Sequence, residues 1–204
     1  MGMIKTLGCI LVIGFLSGCV SIADINVSTN KIEKTWLLDY QKTEEALRTR
    51  VIDAPSLETF TQVKKALVSI DLPVTKSSLE DGEVWAQGIA PAPLSQQEWE
   101  GVAEKESPRV KELSGGLLYL KDDPSDYVLT VKITLRAIDR KTLVVIDYLL
   151  SAPKFEAYGI NMPKVAPPEA VLIGSAKFWD ALERKLQLVD IPKPRRANPD
   201  ELGA

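Results

Sequence analysis

The sequence predicts an α+β domain, an antiparallel sheet of about five strands packed with two main helices, plus a short helical insertion. Tyr127, Leu129, Val131, Ile133, Leu135 and Ala137 alternate with Thr130, Lys132, Thr134 and Arg136, the period of a half-buried antiparallel strand. Two stretches carry apolar residues at helical spacing instead: Leu57, Phe60, Val63, Leu67 and Ile70, and then Val171, Ser175, Phe178, Leu182, Leu186 and Val189. The resulting order is helix, two strands, insertion, three strands, helix, which suits helices layered on an antiparallel sheet.

Taken along the chain, residues 19–55 read as a spacer, with Ile32, Trp36, Tyr40, Leu47 and Val51 roughly on one face of an amphipathic helix. Such a helix either packs on the domain or acts as an arm that grips a partner. The α+β domain is expected over residues 56–189, enough for one core. Ser56 is placed to cap its first helix, Glu58 sits in the first turn, and Pro73 stops it. Pro73 to Ser77 and Glu83 to Gly88 form short strands around the turn Glu80-Asp81-Gly82. Leu117 to Lys121 is expected as another strand, and the turn Asp139-Arg140-Lys141-Thr142 leads into a last one, Leu143 to Ser151. Pro168 suits the first turn of the closing helix, followed by Glu169. Residues 190–204, with Pro192, Pro194 and Pro199, have little to bury and read as a disordered tail.

The 204 residues include 25 Lys plus Arg, 28 Asp plus Glu, two Cys and no His. A chain without His has no Ser-His-Asp or Cys-His machinery and no imidazole metal ligand. Both thiols, Cys9 and Cys19, fall before the domain, so no disulfide framework is available to it. Lys5 is the sole charge before Asp24, and Leu7 to Leu16 is an unbroken run of ten apolar or Gly residues. Ten helical residues rise only about 15 Å against a hydrocarbon core of roughly 30 Å, which is the layout of a signal peptide rather than a span.

Leu16-Ser17-Gly18-Cys19 directly after that run resembles the lipobox of bacterial lipoproteins. The resemblance implies a signal peptide over residues 1–18, with Leu16, Ser17 and Gly18 as recognition positions and Cys19 as the acylated first mature residue. A thiolate is the nucleophile that can take a diacylglyceryl group, and several acyl chains make release negligible. Val20 stands where an Asp retains enterobacterial lipoproteins in the inner membrane. By that resemblance the protein sits on the periplasmic face of the outer membrane, the alternative being the inner membrane. The mature chain keeps 24 basic against 28 acidic residues, a net charge of −4, and so has no electrostatic reason to bind nucleic acid. The element order of residues 56–189 is similar to the helix-grip domains of a lipoprotein subunit of the outer-membrane β-barrel assembly machinery.

Candidate sites are few. Ser95 and Glu98 form a capping box and Leu94 faces Trp99 as a hydrophobic staple, so a short helix follows. Its acids Glu98, Glu100, Glu104 and Glu106 read as a solvated face answered by Lys105 and Arg109. Asp122-Asp123-Pro124-Ser125-Asp126 lacks the central Gly and distal Glu of a calcium loop and reads as a turn. The 153–167 connection is apolar for its length, so Leu94, Trp99, Phe155, Tyr158 and Met162 are the candidates for partner binding. Packing back over the sheet is the competing role for that loop. No catalytic residue, metal ligand or cofactor cradle is read. The expected function is a non-catalytic lipoprotein that binds another envelope protein. The alternative is an enzyme acting on cell wall or another envelope substrate through two carboxylates brought together from distant segments.

Overall fold

The computed structural model describes residues 21–121 and 123–187, the side chains of residues 41–46 excepted. The expected signal peptide, the lipobox-like positions Leu16, Ser17, Gly18 and Cys19, Asp122 of the acidic loop, Val189 and residues 190–204 lie outside the described residues.

Among the described residues, the strands β1 (Thr49–Ile52), β2 (Val74–Ser78), β3 (Glu83–Ile89), β4 (Val128–Ile138) and β5 (Lys141–Ser151) form one antiparallel sheet in the order β1-β5-β4-β3-β2. The helices are α1 (Ile22–Arg48), α2 (Ser56–Val68), α3 (Gln96–Leu113), the single turn α4 (Pro153–Glu156) and α5 (Pro168–Gln187). The architecture is the expected α+β layering.

β4 and β5 form its spine. Asp139, in the left-handed region at φ 55°, and Arg140 reverse the chain in two residues, so Ile138 pairs with Lys141 and Val128 with Ser151. The expected turn extended to Thr142, but Lys141 and Thr142 belong to the strand. Side-chain alternation then sends Leu129, Val131, Ile133 and Leu135, with Val144 and Ile146, to one face. Phe60, Val63 and Leu67 of α2 and Phe178, Trp179 and Leu182 of α5 cover that face. Each such buried side chain contributes about 1.5–3 kcal/mol. Trp179 keeps its polar edge satisfied by donating its indole N–H to Leu47 O at 2.8 Å.

Upstream of Ser56 the fold differs from the expectation of a spacer. β1 is the fifth strand, pairing with β5 from Thr49↔Val145 to Ile52↔Thr142. Val51 therefore points outward from a strand and is exposed. Ile32, Trp36 and Tyr40 do share a buried helical face, packed on Val110, Ala166 and Val171. The amphipathic stretch is thus a helix that packs on the domain. Leu117 to Lys121, expected as the fifth strand, runs without a strand partner.

Ser56 does not cap α2. Pro55 holds the cap position, and the Ser56 hydroxyl meets that of Thr142 at 3.3 Å. Thr142 donates in turn to Ala54 O at 2.8 Å, which pins the β1–α2 junction to β5. Leu57, predicted for the apolar stripe, faces solvent. The insertion helix α3 is 18 residues long, and its capping box forms as expected, with Ser95 N donating to Glu98 at 2.6 Å and Glu98 N to Ser95 Oγ at 3.3 Å.

The β2–β3 turn closes through Gly82 at φ 65°, where an added Cβ would lie 2.3 Å from Leu135 O. Leu135 N also donates to Gly82 O at 2.7 Å, so the two backbones cannot separate freely. Gly82→Ala is expected to destabilise the fold by about 1–3 kcal/mol, read as a lower urea midpoint at unchanged slope.

Candidate functional site

The five residues singled out for partner binding do not share one surface. Leu94 (8% exposed) and Trp99 (5%) pack with Val102 and Ala170, and the Trp99 indole donates to Lys121 O at 2.8 Å. Both members of the staple are buried and satisfied within the chain. Phe155 and Met162 are half-buried against Ala90, Tyr127 and Ala152, Phe155 stacking on Tyr127 with ring centroids 6.4 Å apart. Of the five, Tyr158 stands in solvent, at 76% exposure. The 153–167 loop otherwise packs back: Asn26 of α1 donates to Gly159 O at 3.2 Å and accepts from Asn161 N at 2.8 Å, while Leu150 N donates to Lys164 O at 2.8 Å.

The acids of α3 are not one solvated face either. Lys105 and Arg109 reach across to other helices, to Glu169 at 2.6 Å and Asp39 at 2.5 Å, rather than along their own. Glu98 accepts from Lys177 at 2.5 Å, and that bond, aided by Ser95 N, holds its carboxyl below the usual range. Glu106 is buried (7% exposed) and faces the Trp36 indole, whose N–H has no hydrogen bond of normal geometry. Burial raises the Glu106 carboxyl above its ordinary range; Arg109 opposes that rise, while Asp39 and Glu169 add to it. Residues 123–126 make a turn, with Asp123 accepting from Ser125 N at 2.9 Å and Asp126 paired to Lys121 and Lys154. Among the described residues no group of three or more metal-ligating side chains comes together, and no helix is long and apolar enough to cross a membrane.

The feature sequence reasoning missed lies between α1 and β5. β1 pairs with β5 only as far as Val145, and α1 runs past the rest of that edge. A cleft of about 370 Å³ opens there, lined by Leu37, Tyr40, Arg48, Lys132, Asp147, Tyr148, Leu149 and Val165. Arg48 anchors one end: its Nε donates to Ile146 O at 2.8 Å and its guanidinium pairs with Asp147. Lys164 O, bonded to Leu150 N, marks the other. Backbone groups alternate along a strand, so the Tyr148 N–H and C=O point to the same edge as Ile146 O and Leu150 N, into the cleft. Burial lifts the Tyr40 and Tyr148 phenols above their usual range, so both stay protonated and act as donors or acceptors rather than bases. Tyr40 donates to Ala166 O, and Ser175 donates to the Tyr148 hydroxyl at 3.0 Å.

On the outer face of the sheet, register aligns Lys76, Trp85, Lys132 and Asp147 in a cross-strand row that ends at Arg48. Lys132 lies 5.0 Å over the Trp85 ring and pairs with Glu83 at 2.5 Å, while the Trp85 N–H donates to Glu83 at 3.2 Å. The cleft thus joins apolar walls, Leu37 and Leu149 among them, to a rim of ions already paired within the chain. Such a surface can bury apolar side chains and offer main-chain bonds. A search of protein families finds no match to this chain, and a search of curated proteins finds no similar sequence.

Glu106 supplies a pH test. A carboxyl raised on folding binds its proton more tightly folded than unfolded, so its contribution is full below the unfolded value, about 4.3, and is lost as pH rises through the raised one. Glu106→Gln is therefore expected to be more stable than the parent at pH 7, with the difference vanishing below about pH 4. Thermal melts across that range check it.

Proposed function

We propose that the chain is a lipid-anchored envelope lipoprotein, without catalysis of its own, that holds another envelope protein in the cleft between α1 and β5. Cys19 at the end of the lipobox is the acylated residue, Leu16, Ser17 and Gly18 the recognition positions, and the membrane reached is the outer one, at its periplasmic face. The observation that carries the binding role is the cleft itself: about 370 Å³, with exposed Leu37 and Leu149 on its walls and ion pairs at its rim. That volume falls within the range of sites that enclose a ligand or a few side chains of a partner. An apolar centre with a polar rim is also the anatomy of a protein interface. The paired ions favour a partner of mixed polarity, because no unpaired cation set is offered by Arg48 or Lys132.

The carboxylate-dependent alternative has Glu106 to draw on. That carboxyl faces Trp36 within the packing of α1 on α3; its charge acts on Tyr40, but it does not itself line the cleft.

Two substitutions test the reading separately. Cys19→Ser is expected to abolish incorporation of a fatty-acid probe, and undiminished labelling contradicts the anchor. Leu149→Arg, at a surface position, is expected to shift stability by no more than about 0.5 kcal/mol. It should still weaken partner binding at least about tenfold, equivalent to about 1.4 kcal/mol. A photo-crosslinker at Leu37, used in intact cells, reads the second effect: the adduct formed by the parent should disappear in Leu149→Arg, and an unchanged adduct contradicts the cleft as the docking site.

A further inference from the structure

We infer that the end of the domain where α1 begins lies against the lipid surface, with Tyr158 entering the headgroup layer and setting the orientation of the whole molecule. The inference rests on the acylation of Cys19 and goes beyond it, because an anchor alone leaves orientation free.

The chain length between anchor and fold is the first ground. Ser21 already caps α1, its hydroxyl accepting from Asp24 N at 3.2 Å while Asp24 accepts from Ser21 N at 3.0 Å. Two residue steps separate Cys19 from Ser21, at most about 7 Å of extended chain. No slack remains for the domain to stand away from the bilayer.

The second ground is what surrounds that helix start. Asn26 lies five residues beyond Ser21, a rise of about 7.5 Å. Its side chain holds both Gly159 O and Asn161 N, so the tip of the 153–167 loop is fixed beside the first turns of α1. Gly159, at φ 74°, turns that tip and leaves Tyr158 projecting. Ile22 (50% exposed), Val27 and Tyr158 are thus exposed apolar groups on the end of the molecule that the anchor draws to the membrane. A tyrosine suits the interface because its ring is apolar while its hydroxyl stays in reach of headgroups and water.

Charge says which lipid surface. Asp24, Asp123 and Glu156 are exposed acids at this end, and Lys154 is paired with Asp126 at 2.7 Å. The patch is not basic, so the surface it fits is zwitterionic phospholipid, and anionic lipid adds nothing to the contact. The Asp139–Arg140 turn is at the other end of β5, eleven residues and about 35 Å away, so it points from the membrane.

The test uses the full acylated protein in phosphatidylcholine vesicles. The mature chain has no thiol other than Cys19, so Ala157→Cys and Arg140→Cys each give a single labelling position. A fluorophore at position 157 is expected to be quenched several times more strongly by lipids bearing a headgroup nitroxide than one at position 140. Adding Tyr158→Asp to Ala157→Cys should remove most of that difference, and raising the anionic lipid content should not enlarge it. Equal quenching at both positions, on protein whose mass includes the acyl chains, overturns the orientation and leaves the anchor standing. A mass without acyl chains overturns the anchor and this inference together.

Discussion

The two-residue reversal at Asp139–Arg140 sets the register of β4 against β5, and the other layers take their places from that register. A slip of one residue in a strand exchanges its two faces. Here the register keeps Val131, Ile133, Val144 and Ile146 together under α2 and α5 and brings Lys132 opposite Asp147 on the outer face. β3 adds to β4 with Trp85 beside Lys132, and β1 adds to the far edge of β5. The core and the ion-paired row beside the cleft are therefore two consequences of one constraint.

β1 covers only the first part of the β5 edge, and α1 runs past the rest of it, leaving the cleft between them. Arg48 stands at the junction, closing the last helical turn while taking Ile146 O and Asp147 from the strand. The helix is held along its length by Trp36 and Tyr40 in the packing, by Asp39 bound to Arg109, and by Asn26 bound to the 153–167 loop. A segment that reads as a tether is in this way part of the domain. If Cys19 is acylated as proposed, the reach of the molecule is short, because α1 is held to the domain from its first turns.

Strong local signals were legible in the sequence. The alternation of β4, the helical spacing of Phe60, Val63 and Leu67, the capping box at Ser95–Glu98 and the Gly82 turn each rest on chemistry within a few residues. What was not legible depended on distant partners. The spacing that put Val51 on a helical face could not reveal that β5 offers an unfilled edge to Thr49–Ile52. Glu106 falls at helical spacing with the buried Trp99, Val102, Ala103 and Val110, but the face of α1 that brings Trp36 against it could not be read from α3 alone. Leu94 and Trp99 read as a surface staple until α5 brings Ala170 onto them. The cleft was hidden for a narrower reason: a turn placed two residues too long shifts the β4–β5 register, and Lys132 no longer meets Asp147. Reading Asp139–Arg140 as the whole turn would have aligned that pair from sequence.

The central claim is that α1 and β1 belong to the folded domain and that α1 forms one wall of the cleft beside β5. Amide hydrogen exchange over residues 22–52, compared with β4 and β5, tests it most directly. Protection at Ile32 to Tyr40 and at Thr49 to Ile52 that is lost only when the β5 amides also open is the result this account predicts. Exchange of that whole stretch at the rate of an unstructured chain, beside a protected β4–β5 hairpin, would contradict it.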